Sequence, residues 1–514
     1  MIFVSYKKKI FYLLPFLFLF IFFVIQFFGL RNHSQSFYFQ DETEHVTLGW
    51  MISDYGKTLY KDLSTNHQPL PIFMGALFSK VINFQTLFQL IEQLRIGMWL
   101  FHFLTGLLIV YRFRYKGLLP VLFVNSLSYL FFGWYVLAES LVLPALIIIF
   151  LYLFEVLMEK RRQHWLDILL ISFSLFWVGF NLLPLWPFVT LSFLIFFFLL
   201  PRKQKMILVF SLVVFLMLLF TQVPFFGWVE ETFYHLIKYY LPYNKELGSF
   251  GLVKVALLPL SGLFYLNHHV ARFISLSFII SIFLSWKLLK KRKVKLWQIL
   301  LLFALFMTLN NRVTDPRKVF FEGFHLYPFI AGLSTVFSYL VVKLKGFLSK
   351  KQFYFTMLVV VGLLINNSYW LLERKNKVSE HNIQYGEQQA YVNALNTIKD
   401  EGDRLLTGAD GYGYINIVAN LPLADRQNFH LDWAYRVPKL QEEFQVLMKE
   451  NPPEFIYFKP YSSDYYEHLG LEENYIHLLR DDGASTDLYV YKDRAEKISE
   501  EQWQRFGEQR FVVP

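Results

Sequence analysis

The chain has 514 residues, 55% of them hydrophobic and 20% aromatic, with only 18% charged and no cysteine. This is the composition of a polytopic membrane protein, and the missing cysteine excludes disulfides, thiolate metal sites and a cysteine nucleophile. The formal net charge of +10 does not point to nucleic acid, because the basic residues fall in short clusters between apolar runs rather than along one polar face.

The N-terminal MIFVSYKKKIFYLLPFLFLFIFFVIQFFGL is too long for a signal-peptide core and no small-residue cleavage site follows it, so a retained anchor helix is expected. With about 20 apolar residues per crossing, spans are expected near 10–30, 94–111, 118–134, 138–158, 165–182, 184–200, 206–223, 270–286, 296–310, 325–342 and 353–371. Lysine and arginine set the orientation. With the N-terminus inside, the inside segments hold Lys7–Lys9, Arg112–Lys116, Lys160–Arg162, Arg202–Lys205, Lys287–Lys295 and Lys343–Lys351, so all six agree. The apolar segment Leu252–Leu266 is too short, and counting it as a crossing would place Lys287–Lys295 outside. Pro224–Val270 is therefore read as an external loop, with FGWVEETFYHLIKYYLPY as an interfacial amphipathic helix and LVKVALLPLSGLFYL as a re-entrant or surface-lying segment.

The expected fold class is an α-helical polytopic membrane protein with about 11 transmembrane helices and a small C-terminal extracytoplasmic α/β domain. Its membrane domain covers 1–371, with external loops 31–93, 224–270 and 311–324, and the α/β domain covers 372–514. In the first external loop the spacing of Val46, Leu48, Met51, Ile52 and Tyr55 predicts a helix with Gly56 as its C-cap. A turn follows at Lys61–Asn66, and a second helix opens with proline in its first turn at Pro69. Beyond Leu371, helical patterns at Gln384–Lys399 and Pro438–Lys449 alternate with strand-like runs at Arg404–Ala409, Glu454–Phe458 and Asp487–Tyr491. Asp410-Gly411-Tyr412-Gly413 has neither a Walker lysine nor a full dinucleotide pattern, and reads as a loop. No cofactor is expected.

Two clusters can carry chemistry. Asp41 and Glu42 stand directly after the first hydrophobic helix, where paired carboxylates suit general-base work; the bland alternative is a solvated helix flank. Glu44, His45, Asp54, Asp62, His67 and Gln68 follow in the same segment, and polar chemistry at one mouth of an apolar bundle marks a functional site. Glu44 and His45 lack ligand spacing, so no metal is expected. The second cluster is Arg312, Asp315, Arg317 and Lys318, basic residues in a loop that the orientation rule should keep poor in them. A lipid phosphate or pyrophosphate suits the forked arginine donors, with headgroup snorkelling as the alternative. His325 and Tyr327 precede Pro328 at the next helix start, where they could line the same cavity.

These parts, in this order, resemble the GT-C-fold glycosyltransferases that use polyprenyl-phosphate sugars, the protein O-mannosyltransferase and aminoarabinose transferase superfamily. The likeness rests on Asp41-Glu42 after the first helix, on GWMISDYGKTLYKDL, and on His67-Gln68-Pro69-Leu70-Pro71, similar to a Lys-Pro-Pro-Leu-like element. It rests also on the basic loop leading to His325-Leu326-Tyr327-Pro328 and on the α/β tail. His67-Gln68 departs from the usual lysine-proline. The resemblance implies that Asp41 is the base activating an acceptor hydroxyl or amine, with Glu42 orienting the acceptor or balancing charge. It implies that Arg317, with Arg312 or Lys318, neutralises the phosphate of a polyprenyl-phosphate sugar donor, and that the sugar is transferred with inversion. The competing reading is a lipid-linked oligosaccharide flippase, polymerase or transporter. A transporter would carry polar residues at mid-bilayer depth, whereas these spans are mostly Phe, Leu and Ile with charges at their external ends. The acceptor, whether protein, lipid or glycan, and the sugar are open at this point.

Overall fold

The computed structural model describes residues 2–33, 40–128, 131–159, 163–242, 269–290, 294–309, 323–343, 362, 378–408, 414–427, 436–458 and 470–513. The chain forms two compact units, one of Met1–His33, Arg95–Leu219 and Phe250–Asn376, the other of Ser34–Leu94, Phe220–Ser249 and Lys377–Pro514.

The first unit is a helical bundle built around Ala138–Phe154, every residue of which is buried. A helix that is apolar all round has no face to offer water, so it takes the centre. Phe154 stacks on Tyr339 of the Tyr327–Lys343 helix, with centroids 4.2 Å apart and planes 7° apart. The central helix ends in a wider π turn, Glu155–Glu159, and both terminal carboxylates are paired: Arg112 Nη2 donates to Glu155 at 3.0 Å and Lys116 Nζ to Glu159 at 2.7 Å. Arg112 Nε also donates to Asp167 at 2.6 Å. Charges placed at the end of an apolar bundle are thus used up within it.

Among the described residues, four helices are long and apolar enough to cross a membrane: Leu13–Leu30, Leu87–Phe113, Ala138–Glu159 and Arg202–Phe220. Shorter apolar helices at Trp165–Asn181, Leu183–Leu199, Leu296–Met307 and Tyr327–Leu340 fall where spans were expected, as does His269–Lys290. The expected span 118–134 is instead a helix at Tyr115–Ser126, followed by an irregular turn with Phe132 at φ 54°. Segment 252–266 lies outside the described residues, as does 353–371 apart from Gly362.

In the second unit the first-loop helices form at Gln40–Tyr55 and Pro69–Val81. Gly56 follows the first at φ +63°, the left-handed conformation that stops a helix. Pro69 opens the second, where its missing N–H costs nothing. The helix Phe225–Val229 continues as a π-helix over Glu230–Tyr240. Trp228, Glu231, Thr232 and His235 point inward, while Phe226 is 84% and Ile237 62% exposed. An outward apolar face of this kind is expected of a helix lying along a membrane surface.

The C-terminal part of this unit holds a five-stranded sheet of order β1-β2-β4-β3-β5, with β1 Leu405–Thr407, β2 Phe455–Tyr457, β3 Tyr475–Arg480, β4 Ser485–Tyr491 and β5 Phe511–Val512. β1 and β2 run parallel and the other pairings are antiparallel. One face packs Leu488 and Val490 with Leu395, Ile398 and Phe506; the other packs Leu406 and Ile456 with Phe444 of the Pro438–Glu450 helix. A small sheet with flanking helices near the C-terminus agrees with the expected fold class. Its loop Asp410–Gly413 lies outside the described residues.

Candidate active site

Asp41 and Glu42 occupy the first turn of the Gln40–Tyr55 helix, where carboxylates are favoured by the helix dipole. Asp41 is half-buried and Glu42 has no exposed surface. A solvated flank would leave both in water, so the bland reading does not describe Glu42. Glu44 and His45 are buried one turn on.

Backbone contact between two helices brings Glu44 and His45 to the Ser64–Gln68 segment. Gly49 and Gly75 face the partner main chains: a methyl on Gly75 would strike the His45 carbonyl oxygen, and one on Gly49 would lie 2.7 Å from the Ile72 carbonyl oxygen. At that closeness Thr65 Oγ1 donates to Glu44 Oε1 at 2.6 Å, His67 Nε2 lies 3.3 Å from Glu44 Oε2, and the His45 and His67 rings meet edge to face at 4.8 Å. The segment is also held from below. His67 N–H donates to Thr65 Oγ1 at 3.1 Å and Tyr60 OH donates to the His67 carbonyl at 2.6 Å. Burial, followed by the charges of Glu231 and Glu44, pushes the Tyr60 phenol well above its usual range, so it remains a donor. Trp228 Nε1 donates to Gln68 Oε1 at 3.3 Å.

Burial pushes the Glu44 carboxyl up, but the charge of His67, hydrogen bonds from His67 and Thr65 and the charge of His45 outweigh it and hold the group below its usual 4.5. A depressed carboxyl contributes stability that is fully present above the unfolded value and is lost as pH falls through the folded one. Glu44→Gln is therefore expected to cost about 1–3 kcal/mol at neutral pH. In thermal unfolding scans the gap between parent and variant should close only below pH 4.5, the usual carboxyl value. A constant gap across that range would place the stabilisation elsewhere.

The remaining candidates belong to the other unit or lie outside the described residues. His325 Nδ1 sits 2.9 Å from Glu139 Oε1, a buried carboxylate. Tyr327 is fully buried, its hydroxyl donating to the Val124 carbonyl at 2.9 Å and lying 2.8 Å from Ser128 Oγ. The turn between Ser128 and Glu139 is pinned by His102 Nε2 to the Gly133 carbonyl at 2.9 Å and by Ser140 Oγ to the Phe132 carbonyl at 2.7 Å. Arg312, Arg317 and Lys318 lie outside the described residues.

No protein-family model matches the chain, and no curated protein matches it. Solved structures do. The apo crystal structure of ArnT, an aminoarabinose transferase, from Cupriavidus metallidurans aligns at a TM-score of 0.51 and 12% identity, over 92% of this chain and 96% of that one. It is a GT-C glycosyltransferase. The chain has the GT-C fold. The same ArnT bound to undecaprenyl phosphate aligns at 0.49 with the same identity and coverage. The Archaeoglobus fulgidus oligosaccharyltransferase aligns at 0.43 and 11% identity, over 95% of this chain and 75% of that one.

Within this GT-C chain, sequence reasoning missed Glu139, Ser64, Glu231, His235 and Arg426. Glu139 was legible as a lone acid opening an apolar helix, the kind of residue that marks a site. Glu231 and His235, four apart on an amphipathic helix, gave the i, i+4 signal of one face; Ser64 and Arg426 gave none.

Proposed function

We propose that the chain is an integral-membrane glycosyltransferase that moves a sugar from a polyprenyl-phosphate donor to an acceptor on the extracytoplasmic side. The observation that carries this reading is a half-buried Asp41 beside buried Glu42 and Glu44, directly after the first membrane helix of a GT-C fold. ArnT, which shares that fold, has been crystallised with undecaprenyl phosphate. The six basic inside segments support a cytoplasmic N-terminus and an extracytoplasmic C-terminal domain.

In this mechanism the Asp41 carboxylate takes the proton of an acceptor hydroxyl or amine as that atom attacks the anomeric carbon. The bond from anomeric carbon to phosphate oxygen breaks, and the electron pair leaves with the polyprenyl phosphate. One direct displacement inverts the anomeric centre. Negative charge grows on the leaving phosphate, and fixed cations placed there stabilise it; Arg317, with Arg312 or Lys318, fills that role. Glu42 balances charge or orients the acceptor. Glu44, His45, His67, Gln68, His325 and Tyr327 are assigned to substrate binding. The sugar and the acceptor class are left to experiment.

The test is incubation of the purified protein with a panel of polyprenyl-phosphate sugars, reading release of polyprenyl phosphate and labelled product. Transfer from at least one donor is expected, and Arg317→Ala should weaken donor handling by about 10- to 100-fold, the worth of one charge-assisted contact. Protein that translocates lipid-linked sugars across vesicles but transfers none would instead establish the flippase or transporter reading.

A further inference from the structure

Ser64 precedes Thr65, the residue that donates to Glu44 and accepts from His67. Two contacts hold Ser64, one of them from the C-terminal domain. Its N–H donates to the Arg426 carbonyl at 2.8 Å, which pairs it in a parallel bridge with Gln427, and its hydroxyl donates to Glu231 Oε2 at 2.8 Å. Glu231 is itself fixed from two sides, by Arg426 Nη2 at 3.0 Å on Oε1 and by His235 Nδ1 at 3.1 Å on Oε2. Arg426 spends its other terminal nitrogen on Glu443, at 3.1 Å, in the Pro438–Glu450 helix. One buried carboxylate thus ties its own helix and the Arg426 segment to the residue next to the site.

We infer that the C-terminal domain is a positioning element for the candidate active site, with Arg426 acting through Glu231 and Ser64 to hold Thr65, and so to set Glu44 and His67. The inference rests on the functional reading above for what the site does, but the placement it asserts does not. Arg426 has two handles on the segment, a carbonyl that pairs with the Ser64 backbone and a guanidinium that orients the carboxylate gripping the Ser64 hydroxyl. A planar fork can serve Glu231 and Glu443 together, whereas a lysine ammonium is a single point charge. Arg426→Lys should therefore restore part of what Arg426→Gln removes.

Because the chain has no cysteine, one introduced at Asn66 is its only thiol. Labelling by a membrane-impermeant maleimide then reports how firmly the segment is held, with no enzyme assay. In Asn66→Cys protein, Ser64→Ala and Arg426→Gln should each speed labelling by about tenfold, the effect of losing one such hydrogen bond, with Arg426→Lys intermediate. A second cysteine protein, Ala394→Cys, monitors the core of the C-terminal domain, where Ala394 has no exposed surface; it should stay protected throughout. Unchanged labelling at position 66, or release of position 394 in step with it, overturns the inference. In the transfer assay Arg426→Gln should lower kcat with little change in the donor KM. Full kcat despite a loosened segment would separate the segment from the chemistry and also overturn the proposal. If no donor is used by the parent protein, the transferase reading fails while the labelling result stands on its own.

Discussion

Asp41→Asn is expected to lower the rate of sugar transfer by ~10²–10⁴, the usual worth of a general base, with membrane insertion and donor binding retained. The substitution keeps the shape of the side chain and one acceptor oxygen, but an amide cannot take the acceptor's proton. Single-turnover kinetics on donor-loaded protein is the direct measurement, because it isolates chemistry from product release. Glu42→Gln should reduce the rate less, since Glu42 balances charge or orients the acceptor and does not take its proton. A rate in Asp41→Asn within a few-fold of the parent would move the base elsewhere, and the geometry ranks the alternatives. Asp62 caps a turn by accepting from Thr58 N–H at 2.8 Å, and exposed Asp54 is bound by the neighbouring Ser53 hydroxyl. Glu44, buried beside His45 and His67, would be next.

What the sequence made legible is local. The stop at Gly56, the proline start at Pro69 and most membrane helices follow from short-range rules: a left-handed glycine, a missing N–H and a run of apolar side chains. The carboxylates that follow the first hydrophobic helix could be named for the same reason, since they stand next to an unmistakable apolar run. Failures occurred where structure depends on partners far apart in the chain. Ser64, Glu231 and Arg426 meet across intervals of 167 and 195 residues, and nothing in the letters around any of them announces the other two. β3 was missed for a different reason. Its register shifts between His477 and Leu479, and a bulge breaks the two-residue alternation by which a strand is recognised. The span expected at 118–134 erred through tertiary detail as well. The apolar run continues past Ser126, but the backbone turns at Phe132, where the His102 and Ser140 side chains hold the Gly133 and Phe132 carbonyls.

Gly75→Ala should be among the most damaging small substitutions in the second unit. Two effects oppose each other. In a helix, alanine is favoured over glycine by about 1 kcal/mol, which would stabilise the Pro69–Val81 helix taken alone. Against this, the new methyl would strike the His45 carbonyl oxygen and lie 2.9 Å from Val46 Cα. Both are backbone atoms of a packed helix and cannot rotate away as a side chain would, so the two helices must separate. Overpacking of this kind costs about 1–3 kcal/mol, occasionally more, and here it outweighs the gain in propensity. Separation also carries His45 away from His67 and strains the bonds from Thr65 and His67 to Glu44, so transfer should fall together with stability. Gly386→Ala is the matched control. Gly386 lies in the Val378–Ile398 helix with nothing within 4 Å of the added methyl, and the propensity gain should appear there unopposed. Thermal unfolding of the two variants in the same detergent is the comparison that decides. A Gly75→Ala protein as stable as the parent would mean that the two helices do not meet backbone to backbone, and the site geometry built on that contact would fall with it.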